Sequence, residues 1–315
     1  MRANKLDDGY YLILAGGIGA AKFIEGLANV VDPRLLKIVV NTGDDIELFG
    51  LKICPDLDII TYTLANIIDK EKGWGFIDET FNCLSVLKKF YQDCWFNAGD
   101  KDLATHIFRT DLFKAGYTKS EITKIICREL GVKSQIFPMC NESVETFIKT
   151  EVKEMHFEEF YIRFKSEPEI IGIKLKGIKY AKPIKGVIDY IKNAKQIIIC
   201  PSNPIVSIGT ILQVKGIREA LMKVKNKVFG ISPIIKGATV KGPADKLMKF
   251  IGLDVSCLGV AKYYCDFLGH FVIDQSDNDF KAKIEEMGIR TFCFDTLMIN
   301  LDKKKNLARF VINLK

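Results

Sequence analysis

Several common sequence features are absent from this chain of 315 residues, and each absence excludes a class of protein. No apolar stretch reaches the ~18 residues that cross a membrane. The N-terminal residues MRANKLDDGYYLIL carry acidic side chains where a signal peptide has none, so we expect a cytoplasmic protein. The nine cysteines form no C-x-x-C pair, which argues against zinc sites and disulfide frameworks and favours a reducing compartment.

The composition is that of a globular protein of one large domain or two smaller ones. Hydrophobic residues make up 48% of the chain, enough to bury a sizeable core, and there is no internal repeat or low-complexity segment. The formal net charge is +7, but the lysines are scattered and not clustered. We therefore expect a surface suited to anionic small molecules and no binding of nucleic acid or membrane.

The most informative stretch is YLILAGGIGAAK, residues 11–22. A continuous apolar run predicts a buried strand, and an amphipathic pattern after it predicts a helix. Between them, Gly16, Gly17 and Gly19 permit positive φ angles and a close approach of a ligand to the backbone. A turn of this kind places a helix N-terminus where a phosphate group can bind.

This turn matches neither the full G-x-G-x-x-G motif of dinucleotide-binding proteins nor the P-loop motif. Lys22 stands where the third glycine would be. The turn is thus either a phosphate-binding loop with Lys22 as a point charge or a tight strand-to-helix turn with Lys22 in solvent. The missing glycine also disfavours an NAD-dependent dehydrogenase.

Buried-strand patterns alternate with helical patterns along most of the chain. The strand patterns follow at 36–40, 195–200, 227–235, 270–274 and 290–295. This alternation predicts an α/β fold with a doubly wound, mostly parallel, Rossmann-like sheet that contains both 11–14 and 195–200. Short, mixed strand patterns interrupt it, so we expect a core of residues 1–112 and 183–315 and an inserted α+β subdomain at 113–182.

Two acidic pairs follow predicted strands and are expected at one edge of the sheet. Asp44 and Asp45 come after the second strand, beside Asn41, and Asp56 and Asp58 come at the start of a helix. Two acidic sites at adjacent element ends suit a hard cation such as Mg²⁺. Asp56 and Asp58 can alternatively serve only as helix caps.

Polar turns elsewhere fit the same edge. Ser202 and Asn203 lie between two prolines after a buried strand, which is either a rigid binding turn or ordinary turn chemistry. Asn97 lies in a polar turn before a helix that carries His106 and Arg109. A lone histidine is more often structural than catalytic, so His106 receives no assigned role.

Taken together, the motifs resemble the 2-phospho-L-lactate transferases of coenzyme F(420) biosynthesis, and the resemblance covers nearly the whole chain. The motifs are GGIGAAK from Gly16, NTGDD from Asn41, CPDLD from Cys54, GWG from Gly73, AGDKDLATHIFRT from Ala98, FPM from Phe137, PSNPIVSIGTIL from Pro201, SPIIKG from Ser232 and KGPADKLM from Lys241. The form of the first motif resembles the bacterial-type branch.

The resemblance implies a Mg²⁺-dependent phosphotransferase. Its donor would be a guanylyl-diphospho three-carbon acid (lactyl, enolpyruvyl or glyceryl), its acceptor the ribityl hydroxyl of the deazaflavin Fo, and its product GMP. The expected partners are these small molecules, and the expected assembly is a homodimer. The alternative is a non-catalytic nucleotide or nucleotide-sugar binding regulator related to gluconeogenesis and cell-shape factors.

The resemblance also assigns roles to the motif residues. Asp58 and Asn97 would contact Fo, and Asp45 and Asp58 would be the catalytic and metal-binding carboxylates. The nucleotide and its phosphates would lie against Gly16, Gly17, Gly19, Lys22, Ser202 and Asn203.

Overall fold

A computed structural model describes residues 9–239 and 242–315 of the chain. The N-terminal acidic residues on which the signal-peptide expectation rests, Asp7 and Asp8, lie outside the described residues. So does Lys241, the first residue of the KGPADKLM motif.

The described residues form fourteen strands. In chain order they are β1 (Tyr11–Ala15), β2 (Leu36–Val40), β3 (Ile46–Leu48), β4 (Leu51–Ile53), β5 (Gln135–Pro138), β6 (Glu145–Thr150), β7 (Glu154–His156), β8 (Ile170–Lys176), β9 (Gln196–Ile199), β10 (Val228–Ile231), β11 (Ile234–Ile235), β12 (Ala238–Thr239), β13 (His270–Asp274) and β14 (Arg290–Phe294).

Twelve α-helices connect and cover these strands in the described part of the chain. They are α1 (Gly17–Ala28), α2 (Pro55–Leu64), α3 (Asn82–Phe90), α4 (Asp100–Lys114), α5 (Lys119–Glu129), α6 (Val187–Asn193), α7 (Gly209–Gln213), α8 (Ile217–Met222), α9 (Ala244–Phe250), α10 (Cys257–Tyr264), α11 (Lys281–Glu285) and α12 (Leu301–Ile312). None of the helices in the described ranges has the length and apolar character needed to cross a membrane.

The main sheet has seven parallel strands in the order β14-β13-β10-β9-β1-β2-β5. The predicted α/β class and parallel sheet are therefore confirmed, and 11–14 and 195–200 are adjacent, with Tyr11 opposite Gln196. From β1 the chain first builds the sheet outward through β2 and β5, and then returns to place β9 on the other side of β1. The strand order thus reverses between β1 and β9, which is where open α/β sheets bind ligands.

Successive residues of the central strand enter two separate hydrophobic layers. Leu12 and Leu14 pack into one cluster, and Tyr11 and Ile13 pack into the other. Both layers are fully buried because helices cover both faces of a parallel sheet, which explains the unbroken apolar run. Burying one such side chain contributes about 1.5–3 kcal/mol, so these strands form a rigid base for the loops at their ends.

The structure corrects one part of the predicted insertion. Residues 135–138, expected in the inserted subdomain, form β5 and pair with β2 at the edge of the main sheet. The helix before it, α5, packs on β5 and begins at a capping box formed by Thr118 and Glu121. A separate antiparallel sheet, β7-β6-β8, does lie within 113–182. The division into core and subdomain remains a prediction.

Candidate active site at the carboxyl edge of the sheet

A cavity of about 690 Å³ opens at the carboxyl ends of the central strands, where the strand order reverses. Its walls include the loop after β1, the first turn of α2, the turn after β9 and the segment 157–165, which precedes β8. Segments that are distant in sequence therefore converge on one space. This position is the usual ligand site of a doubly wound sheet, so the cavity is the candidate active site.

The glycines after β1 are required by close packing against neighbouring loops. A Cβ atom at Gly16 would lie 2.7 Å from Asp56 Oδ2 and 2.7 Å from Ser207 Cβ, and one at Gly19 would overlap the Pro201 carbonyl oxygen. Gly17 has a φ of +69°, which disfavours other residues. The turn is thus fitted tightly against α2 and the turn after β9.

The first amide of helix α1 is occupied by a carboxylate of the protein itself. Gly17 N donates to Asp56 Oδ1 at 2.8 Å, a favourable position for a negative charge at the N-terminus of α1. A ligand phosphate at this helix therefore meets the following residues, Ile18 and Gly19, which line the cavity together with Lys22.

The side-chain amide of Asn41 holds two carboxylates together beneath the cavity. Asn41 Nδ2 donates to Asp44 Oδ2 at 3.0 Å and to Asp56 Oδ2 at 2.9 Å, while its Oδ1 accepts from Gly43 N at 2.9 Å. Asn41 is fully buried. Asp44 Oδ1 is also buried and has no hydrogen-bond partner in the described part of the chain. One buried oxygen in this group is therefore available to a ligand.

Burial makes this acidic group reluctant to ionise. It raises the pKa of Asp56 to about 6, although the hydrogen bonds from Asn41 and Gly17 favour the carboxylate. Burial likewise raises the pKa of Asp44, and the neighbouring charges of Asp56 and Glu158 add to the effect. Burial and then Asp56 raise the pKa of Glu158, which also lines the cavity, to about 8. A bound cation would relieve this repulsion.

A second buried group of polar side chains surrounds Asp58. Arg109 Nη1 donates to Asp58 Oδ2 at 3.0 Å, and Nη2 pairs with Asp58 Oδ1, so the contact is bidentate. The N-cap of α2 is Cys54, and neither Asp56 nor Asp58 caps the helix. The interpretation of these two aspartates as helix caps is therefore wrong.

His106 contacts charged side chains through both ring nitrogens. Arg109 Nη1 lies 3.2 Å from His106 Nδ1, and a guanidinium can only donate, so Nδ1 is the acceptor in this contact. His106 Nε2 faces Asp102 Oδ2 at 3.5 Å, and Tyr62 donates to Asp102 Oδ1 at 2.8 Å. Ligand-type atoms of Asp58, Asp102 and His106 lie within 4.8 Å of one another, so this cluster could also hold a metal ion.

The placement of Asp45 differs from the prediction. Its Oδ2 pairs with Lys119 Nζ at 2.5 Å, and its carbonyl oxygen bonds His156 Nε2 at 3.1 Å. Asp45 is absent from the cavity wall, whereas the adjacent Asp44 lines it. The structure thus turns Asp45 toward α5 and β7, and the cavity does not bring Asp45 and Asp58 together.

The other predicted site residues all line the cavity. Ser202 Oγ accepts from Gly16 N at 3.3 Å and so ties the turn after β9 to the glycine turn. Asn203 Oδ1 accepts from Ile205 N at 2.9 Å, which fixes the start of the next helical segment. Asn97 is exposed at the cavity wall, just before α4. The binding roles of these residues remain predictions.

Three further residues of the site were not assigned a role from the sequence. Asp102 lies one turn before His106 on α4, and this i, i+4 spacing of an acid and a histidine was a usable signal. Tyr62 and Glu158 carried no such signal, because only the packing of α2 and of the segment 157–165 brings them to the cavity.

Fold and cavity together define an α/β protein with a small-molecule site at the switch point of a doubly wound sheet. The family model "2-phospho-L-lactate transferase CofD" matches residues 12–308, so the chain belongs to this family.

Named relatives cover nearly the full length of the chain. A phosphoenolpyruvate transferase from Streptomyces griseus is 39% identical over 96% of this chain and 97% of its own length. A 2-phospho-L-lactate transferase from Methanosarcina acetivorans is 37% identical over 96% of this chain and 98% of its own length. The predicted family is therefore confirmed.

A solved structure supports the fold independently. The crystal structure of a UPF0052-family protein from Bacillus halodurans superposes with a TM-score of 0.64 over 98% of this chain and 100% of that chain. The identity is only 15%, so this likeness concerns the fold alone.

Proposed function

We propose that this enzyme transfers a phospho-lactyl or phosphoenolpyruvyl-type group from a guanylyl-diphospho donor to the ribityl hydroxyl of the deazaflavin Fo in coenzyme F(420) biosynthesis, and releases GMP. The observation that carries the proposal is the convergence of the family motifs on one cavity. Gly16, Asp58, Asn97 and Ser202 come from four separate segments, and all of them line it. The names of the relatives support transfer to an acceptor.

The reaction needs positioning and charge neutralisation more than covalent catalysis. The acceptor oxygen forms a bond to the phosphorus next to the three-carbon acid, and the bond from that phosphorus to the GMP oxygen breaks. Asp58 lines the cavity, and its bidentate contact with Arg109 fixes its orientation. In the proposal, Asp58 orients the ribityl hydroxyl and accepts its proton, and Asn97 contacts the same substrate.

The donor would lie against the glycine turn. Lys22 and the backbone at Ile18 and Gly19 line the cavity beyond the amide that Asp56 occupies. Amides at a helix N-terminus and a lysine are suited to diphosphate. Ser202 and Asn203, across the turn after β9, complete this wall. The named relatives are transferases, so they do not support the alternative of a non-catalytic nucleotide-binding regulator.

The acidic floor of the cavity fits Mg²⁺, which prefers oxygen ligands. Asp44 and Asp56 supply carboxylates only. Asp44 Oδ1 and Asp45 Oδ1 both have no partner among the described residues, but only Asp44 lines the cavity. Asp45 is neutralised by Lys119, and Asp58 by Arg109. Asp44 and Asp56 are therefore better placed to hold the ion than the predicted Asp45 and Asp58. When bound, Mg²⁺ would neutralise charge on the diphosphate.

The test of the function is a transfer assay. The purified chain is incubated with Fo, Mg²⁺ and each of the lactyl, enolpyruvyl and glyceryl donors in turn, and the products are identified by mass. The proposal predicts one Fo adduct that carries the phospho-acid, and GMP. Fo that stays unmodified with all three donors would reject it.

The metal site has its own test. Mg²⁺ should raise the melting temperature of the wild-type protein, and chelation with EDTA should reverse the effect. Asp44→Asn should abolish the Mg²⁺-dependent shift, whereas Asp45→Asn should keep it. A shift that is kept in Asp44→Asn and abolished in Asp45→Asn would instead assign the metal to Asp45.

A further inference from the structure

An unusual backbone turn at the cavity wall presents a single lysine. Lys165 and Ser166 both adopt left-handed conformations, with φ angles of 49° and 57°, although neither is glycine. Such conformations are disfavoured for residues with a Cβ atom and persist only where the surroundings impose them. Residues held in this way occur preferentially at functional sites.

The surroundings of this turn fix it from two sides. Ser166 N donates to the carbonyl of Phe160 at 2.9 Å, and Phe160 is fully buried in the core. From α9, Lys246 Nζ donates to the carbonyl of Glu167 at 2.9 Å and also to that of Ser166. The position of Lys165 is thus set by the core and by α9 together.

The Lys165 ammonium has no ion pair or hydrogen bond within the described residues, although neighbouring cations do. Lys153 and Arg163 both pair with Glu159, at 2.7 and 2.8 Å. Lys165 instead lines the cavity. This distribution leaves one cation of the segment 153–165 available to a ligand.

The charges around the cavity are arranged unevenly. Its floor carries buried carboxylic acids, whereas the side chains of Lys22 and Lys165, from different segments of the wall, make no ion pair or hydrogen bond within the described part of the chain. These two lysines attract an anionic substrate. A polyanion that enters the cavity therefore gains from contact with Lys165.

We infer that Lys165 binds an anionic group of the guanylyl-diphospho donor, either its diphosphate or the carboxylate of its three-carbon acid. The inference rests on the proposed function and adds a donor-binding residue from outside the motifs. Lys165 contributes binding and not chemistry, so its loss should raise the KM for the donor more than it lowers kcat.

The experiment compares Lys165→Met with Lys149→Met, which removes an exposed lysine of β6 that is not at the cavity. Donor KM and kcat are measured at saturating Fo and Mg²⁺. Lys165→Met should raise the KM about 10-fold, as expected for one partly exposed charge-assisted contact, with kcat within about twofold. Lys149→Met should leave both constants within about twofold. An unchanged KM in Lys165→Met, or an equal rise in Lys149→Met, overturns the inference.

Two additional measurements sharpen the result. Calorimetry of Lys165→Met with GDP and with phosphoenolpyruvate separates the two anionic groups. Weaker binding of GDP alone points to the diphosphate, and weaker binding of phosphoenolpyruvate alone points to the carboxylate end.

Lys165→Gly should raise the KM for the donor as much as Lys165→Met does, but it should also raise the melting temperature, since glycine tolerates the left-handed conformation. A lower melting temperature would contradict the strained turn.

The failure of the proposed function would be recognisable separately. If the wild-type protein modifies no Fo, that function is wrong, and the calorimetry alone decides the role of Lys165. Equal affinities of the wild type and Lys165→Met for both probes, or no binding of either probe, would then overturn the inference.

Discussion

Replacing Asp58 by asparagine removes two functions at once, because the carboxylate both neutralises Arg109 and faces the cavity. Arg109 is only 3% exposed, and its bidentate partner is Asp58. In Asp58→Asn the amide oxygen can still accept one hydrogen bond from Arg109, and the other acceptors are His106 Nδ1 at 3.2 Å and the Lys52 carbonyl at 3.3 Å. None of these three acceptors carries a negative charge. The variant therefore leaves a buried cation uncompensated.

The expected loss of stability follows from this geometry. Breaking one partner of a buried ion pair costs about 3–5 kcal/mol, against about 1 kcal/mol or less for a change at a helix cap. We expect about 3 kcal/mol for Asp58→Asn, measured as the free energy of unfolding in urea. Loss of the charge at the acceptor should also lower turnover about 10²-fold, measured where the variant is folded.

Asp45→Asn is the matched control. Asp45 forms a comparable ion pair with Lys119, at 7% side-chain exposure for the lysine and 15% for the aspartate, but it is absent from the cavity wall. It should lose stability while turnover per folded molecule stays within a few-fold of the wild type. Asp58→Asn with turnover within a few-fold of the wild type, or with less than about 1 kcal/mol of destabilisation, would refute the reasoning.

Three further outcomes are expected. Gly19→Ala should lower the melting temperature, because its Cβ atom would overlap the Pro201 carbonyl oxygen, and a melting curve equal to that of the wild type would contradict the packing. Gly17→Ala meets nothing closer than Asp56 Oδ1 at 3.9 Å, so it should fold with a loss of about 1 kcal/mol in the free energy of unfolding for its φ of +69°. A urea-unfolding curve equal to that of the wild type would contradict a strained backbone at this position. The pKa of Glu158 is raised from 4.5 to about 8, so the free energy of unfolding of the metal-free protein should fall as the pH rises through this window. The fall should be smaller in Glu158→Gln. The same pH dependence of the free energy of unfolding in both proteins, measured with urea, would contradict this.

The core of the fold was predictable because strands that are buried on both faces need apolar residues at nearly every position. The runs at 11–14 and 197–199 are apolar throughout, as strands covered by helices on both sides must be. The sheet membership of 135–138 was not predictable, since this short strand at the sheet edge pairs with Leu36–Val40, about a hundred residues earlier. Its neighbours in sequence form a different sheet.

The site was predictable where its residues follow neighbouring strands directly. Gly16 and Ser202 meet because β1 and β9 are adjacent, and Asn41 lies at the end of β2 beside them. The choice between Asp44 and Asp45 was not predictable, because the two adjacent side chains point apart and the partner of Asp45 comes from α5. Residues such as Glu158 reach the cavity only through the packing of the segment 157–165.

The central claim, that the cavity transfers a phospho-acid from a guanylyl donor to Fo, is tested most directly by the ratio of GMP released to Fo consumed. The account predicts one GMP for each Fo, with no GMP formed when Fo is omitted. Release of GMP without Fo, or consumption of Fo without GMP, would contradict it.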